Sequence, residues 1–191
     1  PVTQEWAPGS VHQVSVPPVE AGAEGTRYVF ANWSDGSSLT DRIVVAQGPG
    51  GLIAYYDTQY RLVVSSEHGT TSGSGWYNAG ATASISVSPT VVRYDERGIE
   101  YAFRRWLGSG AGGYYTGPEN PAMVTMTGPV EERAEWEETM YYLSVISDYG
   151  EPQGSGWYPR GSQASFSVTT PVDQGNKTTR IFAQWSGDIS L

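Results

Sequence analysis

Polar and apolar residues alternate along most of this chain, as they do in strands that bury one face of a sheet. Ala83, Ile85 and Val87, for example, alternate with threonine and serine. No stretch of ten or more residues keeps the 3.6-residue apolar period of a helix, and Gly, Pro, Asn, Asp and Ser cluster between the alternating stretches, as turns require. The pattern predicts an all-β chain, with strands in its middle part at residues 60–66, 81–88, 99–106, 122–127 and 133–138.

An internal repeat divides the chain. The sequence Gly-Ser-Gly-Trp-Tyr occurs at residues 73–77 and again at 154–158. Leu62 and Leu143 are separated by the same interval, and the Gly-Pro pair at 48–49 returns at 128–129. Because a repeat of about 80 residues can enclose a core of its own, we predict tandem immunoglobulin-like β-sandwich modules rather than a solenoid.

Alignment of the copies predicts where each module begins and ends. Residues 59–138 form the complete module, which holds all five predicted strands. Residues 1–58 form a module that lacks its first strand, and residues 139–191 form one that lacks its last strands. The sequence therefore predicts one complete sandwich between two incomplete ones.

A second motif, Phe-x-x-Trp, occurs once in each copy. Residues three apart point to opposite faces of a regular strand, so both rings reach one core only if a β-bulge lies between them or the strand bends. A further tryptophan stands at an apolar position of the last strand of the complete module. The predicted core aromatics are Phe30, Trp33, Phe103, Trp106, Trp136, Phe182 and Trp185.

Two roles suit the aromatic pairs of the Gly-Ser-Gly-Trp-Tyr motif, which are Trp76 with Tyr77 and Trp157 with Tyr158. Their recurrence at equivalent places favours packing in the core or between modules, whereas large exposed rings of this kind also stack on sugars. The Gly-Ser-Gly segments themselves are predicted to be flexible loops.

The charge balance excludes one class of partner. The chain has 20 acidic and 11 basic side chains and a net charge of −9, which repels nucleic acid and anionic membranes. No apolar run is long enough to span a membrane. Cysteine is absent, so neither disulfides nor thiolate metal sites stabilise the fold.

The sequence shows no arrangement of residues that catalysis requires. It contains neither a Gly-x-Ser-x-Gly nucleophile elbow nor a phosphate-binding loop. The acidic run from Glu131 to Glu138 alternates with Ala134 and Trp136, and we predict that it is a solvated face, because a glycosidase needs two carboxyls across a cleft. We therefore predict no enzyme, no catalytic residue and no cofactor.

Metal binding is also not indicated by the spacing of ligands. The two histidines, His12 and His68, lack partners at metal-ligand spacing, and the sequence predicts no metal site. The alternative is calcium bound by oxygen ligands near turns, from Asp35, Asp41 or Asp188.

Two sequons could carry a glycan if the protein is extracellular. Asn176 lies in a polar loop and is the better acceptor, whereas Asn32 lies inside a predicted strand. Loops are more accessible to modifying enzymes than strands are.

A wider set of motifs lies between residues 123 and 188. It consists of Tyr142-Leu-Ser-Val-Ile-Ser, the second Gly-Ser-Gly-Trp-Tyr, Gly161, Ser167-Val168, Phe182-x-x-Trp185-Ser-Gly-Asp188, Met123-Val-Thr-Met-Thr-Gly-Pro129 and Ala134-Glu-Trp136. Together these motifs resemble the divergent internalin-B-type (Listeria-Bacteroides-like) extracellular repeats, and they are most similar to the archaeal version in long cell-surface proteins and beside secreted thermopsin-like proteases. The resemblance implies a surface-exposed β-repeat that spaces, adheres or assembles, without catalysis. The first copy departs from the pattern, because Gln4-Glu5-Trp6-Ala7 replaces Gly-Ser-Gly-Trp-Tyr.

The sequence thus predicts an extracellular structural protein, the subunit of a filament or cell-surface layer that assembles head to tail with copies of itself. A carbohydrate-binding adhesin that takes cell-surface glycans, and the accessory tail of a secreted hydrolase, are the alternatives. Incomplete sandwiches have open sheet edges, and such edges recruit other strands. We therefore expect strand exchange, with a donor strand that inserts side chains such as Tyr60, Leu62 and Val64.

Overall fold

The structure is a computed structural model and describes residues 3–187. Within that range it contains β-strands and no helix, which confirms the predicted all-β class. No candidate membrane-spanning helix occurs among these residues. The strands are β1 (Val11–Ser15), β2 (Val19–Ala21), β3 (Thr26–Trp33), β4 (Asp41–Val45), β5 (Ala54–Ser65), β6 (Thr70–Ser72), β7 (Gly75–Asn78), β8 (Thr82–Ser88), β9 (Val91–Tyr94), β10 (Ile99–Gly110), β11 (Thr116–Gly117), β12 (Ala122–Thr125), β13 (Val130–Leu143), β14 (Gly156–Pro159), β15 (Val172–Asp173) and β16 (Thr179–Arg180).

The chain forms two compact units, each built from two segments. The first unit contains the chain up to Ser88 and Arg104–Glu135, and the second contains Pro89–Phe103 and the chain from Trp136 onwards. The long strands β10 and β13 each contribute residues to both units. The predicted module boundaries, after residues 58 and 138, fall inside β5 and β13, and the division into three modules stays a prediction.

Two sheets share the core of the first unit. The larger sheet has the strand order β11-β10-β13-β5-β3-β2, and the smaller has the order β12-β8-β6. Inward positions alternate with exposed ones along β8 and β12, as the sequence pattern predicts. A core filled from two sheets is the arrangement of a β-sandwich. Its buried apolar residues include Leu62, Val64, Ala83, Ile85, Val87, Trp106, Ala122, Val124, Met126 and Val130.

One strand pair of this unit is parallel. Residues 62–65 of β5 run parallel to residues 130–133 of β13, with Leu62 opposite Val130. The preceding part of β5 pairs antiparallel with β3 instead. The strand expected to begin the middle module is therefore the second half of a longer strand, and Leu62 and Val64 are buried in the core of their own chain.

A β-bulge in β3 brings the first Phe-x-x-Trp pair together. The register with β5 shifts between Phe30 and Asn32, and the ring centroids of Phe30 and Trp33 are 5.8 Å apart. The buried Trp33 donates a hydrogen bond from Nε1 to Leu39 O at 2.8 Å. In this copy the bulge, rather than a bend, places both rings on one side of the strand.

In the second unit β9 pairs with β10, β14 with β13, and β15 with β16. Aromatic rings contact one another within this unit. The centroids of Phe103 and Trp136 are 6.0 Å apart, and Phe166 and Phe182 each lie 5.0 Å from Trp185.

Burial differs among the predicted core aromatics. Trp106 is 0% exposed. Phe182 is 38% exposed, because the described chain after Arg180 forms no strand that would hold the ring in a sheet. The remaining members are buried or partly buried, namely Phe30, Trp33, Phe103, Trp136 and Trp185.

Candidate functional site at the repeat junctions

The two Gly-Ser-Gly-Trp-Tyr motifs have the same hydrogen-bonded conformation. In the first motif, Ser74 Oγ accepts a hydrogen bond from Val64 N at 2.9 Å, and Tyr77 Oη donates to Gly73 O at 2.9 Å. The second motif forms both bonds at the same distances, one repeat further along the chain. The prediction of a loop is wrong for the second glycine of each motif, because β7 begins at Gly75 and β14 at Gly156. The serine and tyrosine side chains tie the remaining part of each glycine segment to the backbone.

The first glycine of each motif is required by space and by backbone conformation. Gly73 has φ +104° and Gly154 has φ +102°, in a region that favours glycine. A Cβ atom at either position would lie 2.5 Å from a backbone carbonyl oxygen, that of Ser84 or Ser165. The close approach of two backbones therefore explains the repeated glycine.

An arginine covers one face of each motif tryptophan. The guanidinium carbon of Arg27 lies 4.5 Å from the centroid of Trp76, and that of Arg93 lies 4.5 Å from the centroid of Trp157. Such cation–π contacts contribute about 0.5–1 kcal/mol at exposed sites and more when they are desolvated. One face of each ring is therefore occupied and does not offer a free stacking platform for a sugar.

Each arginine is held in place by a second polar contact. Arg27 Nε donates to Gln59 Oε1 at 2.8 Å, and Arg93 Nε donates to Glu100 Oε2 at 3.0 Å. The hydrogen bond from Arg93 lowers the pKa of Glu100. Arg27 stands three residues before Phe30, and Glu100 stands three residues before Phe103. Glu100 is therefore the counterpart of Arg27 in the next copy, and the arginine that covers the second tryptophan comes from a different sequence position.

Each arginine and its tryptophan lie within one compact unit of the structure. In the predicted division, Arg27 belongs to the first copy and Trp76 to the second, and Arg93 belongs to the second copy and Trp157 to the third. By that division, the tryptophan of each complete motif packs on the copy that precedes it. The tryptophans could be recognised from the sequence, whereas the two arginines could not, because they do not recur at one position in the repeat.

The acidic run is not a uniform solvated face. The prediction is wrong for Glu132, which is 1% exposed, since β13 turns this side chain into the core. Glu135 accepts a hydrogen bond from Arg105 Nε at 2.5 Å, and this bond lowers the pKa of Glu135. Glu138 accepts a hydrogen bond from the hydroxyl of Tyr141. The run is thus divided among a buried carboxyl, an ion pair and a tyrosine contact.

The structure gives side-chain contacts for His12 and a backbone contact for His68. His12 stacks on Trp6 with a centroid separation of 4.0 Å and an interplanar angle of 10°, and its Nε2 lies 2.7 Å from Ser10 Oγ. The backbone oxygen of His68 accepts a hydrogen bond from Ser66 Oγ. In the described part of the chain no group of three or more His, Cys, Asp or Glu residues is placed to hold a metal.

The carboxylates considered for calcium are engaged elsewhere or lie outside the described residues. Asp35 forms an ion pair with Arg42 at 2.7 Å, and Asp41 accepts two hydrogen bonds from Gln13 Nε2 at 2.8 and 2.9 Å. Asp188 lies outside the described range.

The two sequon asparagines lie in different surroundings. Asn32 is partly buried in β3, and its Nδ2 donates to Trp33 O at 2.8 Å. Asn176 is exposed in the turn between β15 and β16 and has φ +51°. The amide nitrogen that would carry a glycan is therefore hydrogen-bonded at Asn32, whereas Asn176 stands at an exposed hairpin tip.

Comparison with known proteins gives no relative. No protein-family model matches the chain, and neither the search of curated proteins nor the search of solved structures gives a match.

Proposed function

We propose that this protein is a structural subunit of an extracellular filament or cell-surface layer, built from tandem immunoglobulin-like repeats. The observation that supports this proposal best is β5, an unbroken strand of 12 residues that belongs to two copies of the repeat. A junction made of one continuous strand leaves no flexible linker between the two copies.

The two halves of β5 enter different ladders. Residues 54–60 pair antiparallel with β3 of the first copy, and residues 62–65 pair parallel with β13 of the second. A flexible linker would extend freely under tension. A strand held in two ladders extends only when backbone hydrogen bonds shear, so this junction resists stretching.

The covered tryptophans support the same role. Trp76 packs under Arg27 of the preceding copy, and Trp157 packs under Arg93 in the same way. A repeated contact across successive junctions stabilises the array. This use of the rings favours a structural protein over a carbohydrate-binding adhesin.

Assembly with further subunits is supported by a cluster of apolar residues on the exposed face of β1 and β4, which also carries the polar Gln13, Ser15 and Asp41. Val11 and Val45 are direct cross-strand partners in β1 and β4, and they are 63% and 50% exposed. Ile43, on the same face, is 69% exposed. Apolar patches of this kind mark surfaces that are covered in an assembly. We propose head-to-tail contacts between copies of the chain at this face, with strand addition at the sheet edges.

Electron microscopy of the purified chain tests this function. We expect the wild type to form regular fibres or sheets, and the double variant Ile43→Asp, Val45→Asp to remain monomeric because it places two charges on the contact face. The matched control is Met123→Asp, at a 59% exposed position of β12 in the middle repeat, which should still assemble. A wild type that stays a monodisperse monomer at all concentrations, and whose tryptophan fluorescence responds to oligosaccharides, would favour the adhesin instead.

A further inference from the structure

Glu132 is a buried carboxyl in the core of the first unit. The side chain is 1% exposed and lies between the buried Val130 and Ala134 along the inward face of β13. Within residues 3–187 its one hydrogen bond comes from Tyr115 N to Oε1 at 2.6 Å. Its Oε2 atom is buried without a hydrogen-bond partner.

No cation among the described residues compensates this carboxyl. The arginines of the neighbouring strands pair with other acids, Arg104 and Arg105 with Glu135, and Arg133 with Glu67. On β5 the residue opposite Glu132 is Val64, and the inward residues of β8 and β12 are apolar. The hydroxyl of Tyr115 accepts a hydrogen bond from Glu119 N. Burial therefore raises the pKa of Glu132, and the bond from Tyr115 N only partly opposes this.

We propose that Glu132 is a proton-operated switch of the sandwich core: the core closes over the protonated carboxyl, and loss of the proton opens the parallel pair of β5 and β13. Burying a carboxylate without a counter-charge is far more costly than burying the neutral acid. Counted from the repeated Gly-Pro pair, Leu52 is the corresponding residue of the first copy, but it is exposed and precedes β5 rather than lying in a strand. The first copy therefore lacks the buried carboxyl.

The direction of the pH effect follows from linkage. The pKa of Glu132 is higher in the folded chain than in the unfolded chain, so folding takes up a proton between the two values. The stabilisation is fully present below the unfolded pKa and is lost as the pH rises through the folded pKa. Between these two pKa values, the equilibrium constant for closing of the core should fall by up to tenfold for each unit of rising pH.

Hydrogen exchange of the full chain tests the switch. The measured quantity is the ratio of amide exchange rates in the wild type to those in Glu132→Gln, a neutral variant of the same shape. As the pH rises from 4 to 9, we expect this ratio to increase for the amides of residues 62–65 and 130–133, and in acid we expect the two proteins to exchange at the same rate. The exposed Glu137→Gln is the control and should follow the wild type. A constant ratio at all pH values overturns the proposal.

The protonation of Glu132 can also be measured in the wild type alone, so the test does not depend on the folding of the glutamine variant. In carbon-13 NMR, the carboxyl signal of Glu132 should titrate above the range of exposed glutamates. The chemical shifts of Tyr115 N and of Val64 should change over the same pH range. Titration at about 4.3, the value of an exposed glutamate, would show that the core closes over the carboxylate and would overturn the switch.

Discussion

Arg27 and Trp76 form a cation–π contact, with 4.5 Å between the guanidinium carbon and the ring centroid. Arg93 and Trp157 reproduce the same distance at the second Gly-Ser-Gly-Trp-Tyr motif, although the two arginines stand at different distances from the Phe-x-x-Trp motif. Two different sequence positions thus lead to one geometry. Both motif tryptophans are therefore covered by a cation, although the sequence supplies that cation from different positions.

A double-mutant cycle measures this contact. We expect Arg27→Ala and Trp76→Ala to show a coupling free energy of about 0.5–1 kcal/mol in urea denaturation, because each change removes one partner of the same interaction. Arg27→Lys should keep part of the coupling. Additive effects of the two alanine changes would show that the stacked geometry contributes nothing to stability.

The repeated glycine gives a second test. In Gly73→Ala the backbone strain alone should cost about 1–3 kcal/mol. The loss of stability should be larger than that, because the added Cβ atom also collides with a carbonyl oxygen. Gly80→Ala is a matched control, because Gly80 also has positive φ but has open space around its Cβ position. Equal loss of thermal stability in the two variants would contradict a steric role for Gly73.

The all-β class and the inward face of β8 could be read from the sequence because they depend on a period of two. Ala83, Ile85 and Val87 alternate with small polar residues, and these three are the buried ones. The bulge at Phe30 was also foreseeable, since a three-residue spacing conflicts with that period. In each case the signal is local and needs no knowledge of the neighbouring strand.

The junctions could not be read in the same way. β7 begins at Gly75, within a segment whose composition indicates a loop, and it is a strand because β5 pairs with it. The inward position of Glu132 depends on the register of β13 with β5, and a charged residue in an acidic run normally indicates solvent. Partners far along the chain decide both features, so the local pattern does not show them.

An ion pair of the first unit should produce the opposite pH effect to that of Glu132. The pKa of Glu135 is lowered, chiefly by the hydrogen bond from Arg105, so its stabilisation is present above the unfolded pKa and is lost as the pH falls through the folded pKa. Thermal unfolding should show that Glu135→Gln is less stable than the wild type at neutral pH and approaches it in acid. A difference in thermal stability between the two proteins that becomes larger in acid would contradict a stabilising role of the Glu135 carboxylate.

Trp106 should be the most sensitive aromatic of the core. It is 0% exposed, and truncation of a buried aromatic typically costs about 3–5 kcal/mol. Trp106→Ala should therefore lower the free energy of unfolding by that amount in a denaturant titration. Met123→Ala, at an exposed position of β12, should change it by less than about 0.5 kcal/mol. A loss below about 1 kcal/mol for Trp106→Ala would place the ring outside the core.

Glycosylation distinguishes the two sequons by their surroundings. In a host that glycosylates extracellular proteins, Asn176 should carry a glycan and Asn32 should not. The transferred sugar bonds to the side-chain nitrogen, and in Asn32 this atom donates to Trp33 O at 2.8 Å within a strand. Asn176 is exposed in a hairpin turn, where an enzyme reaches the backbone more readily.

Peptide mass spectrometry of the chain expressed in such a host measures which asparagine carries a glycan. Thr178→Ala removes the sequon at Asn176 without changing the asparagine, so it should abolish the glycan mass. Asn32→Gln should leave that mass unchanged. A glycan on Asn32 with Asn176 bare would mean that the chain is modified before β3 pairs with β5, because in the folded sheet the Asn32 amide is hydrogen-bonded to the backbone.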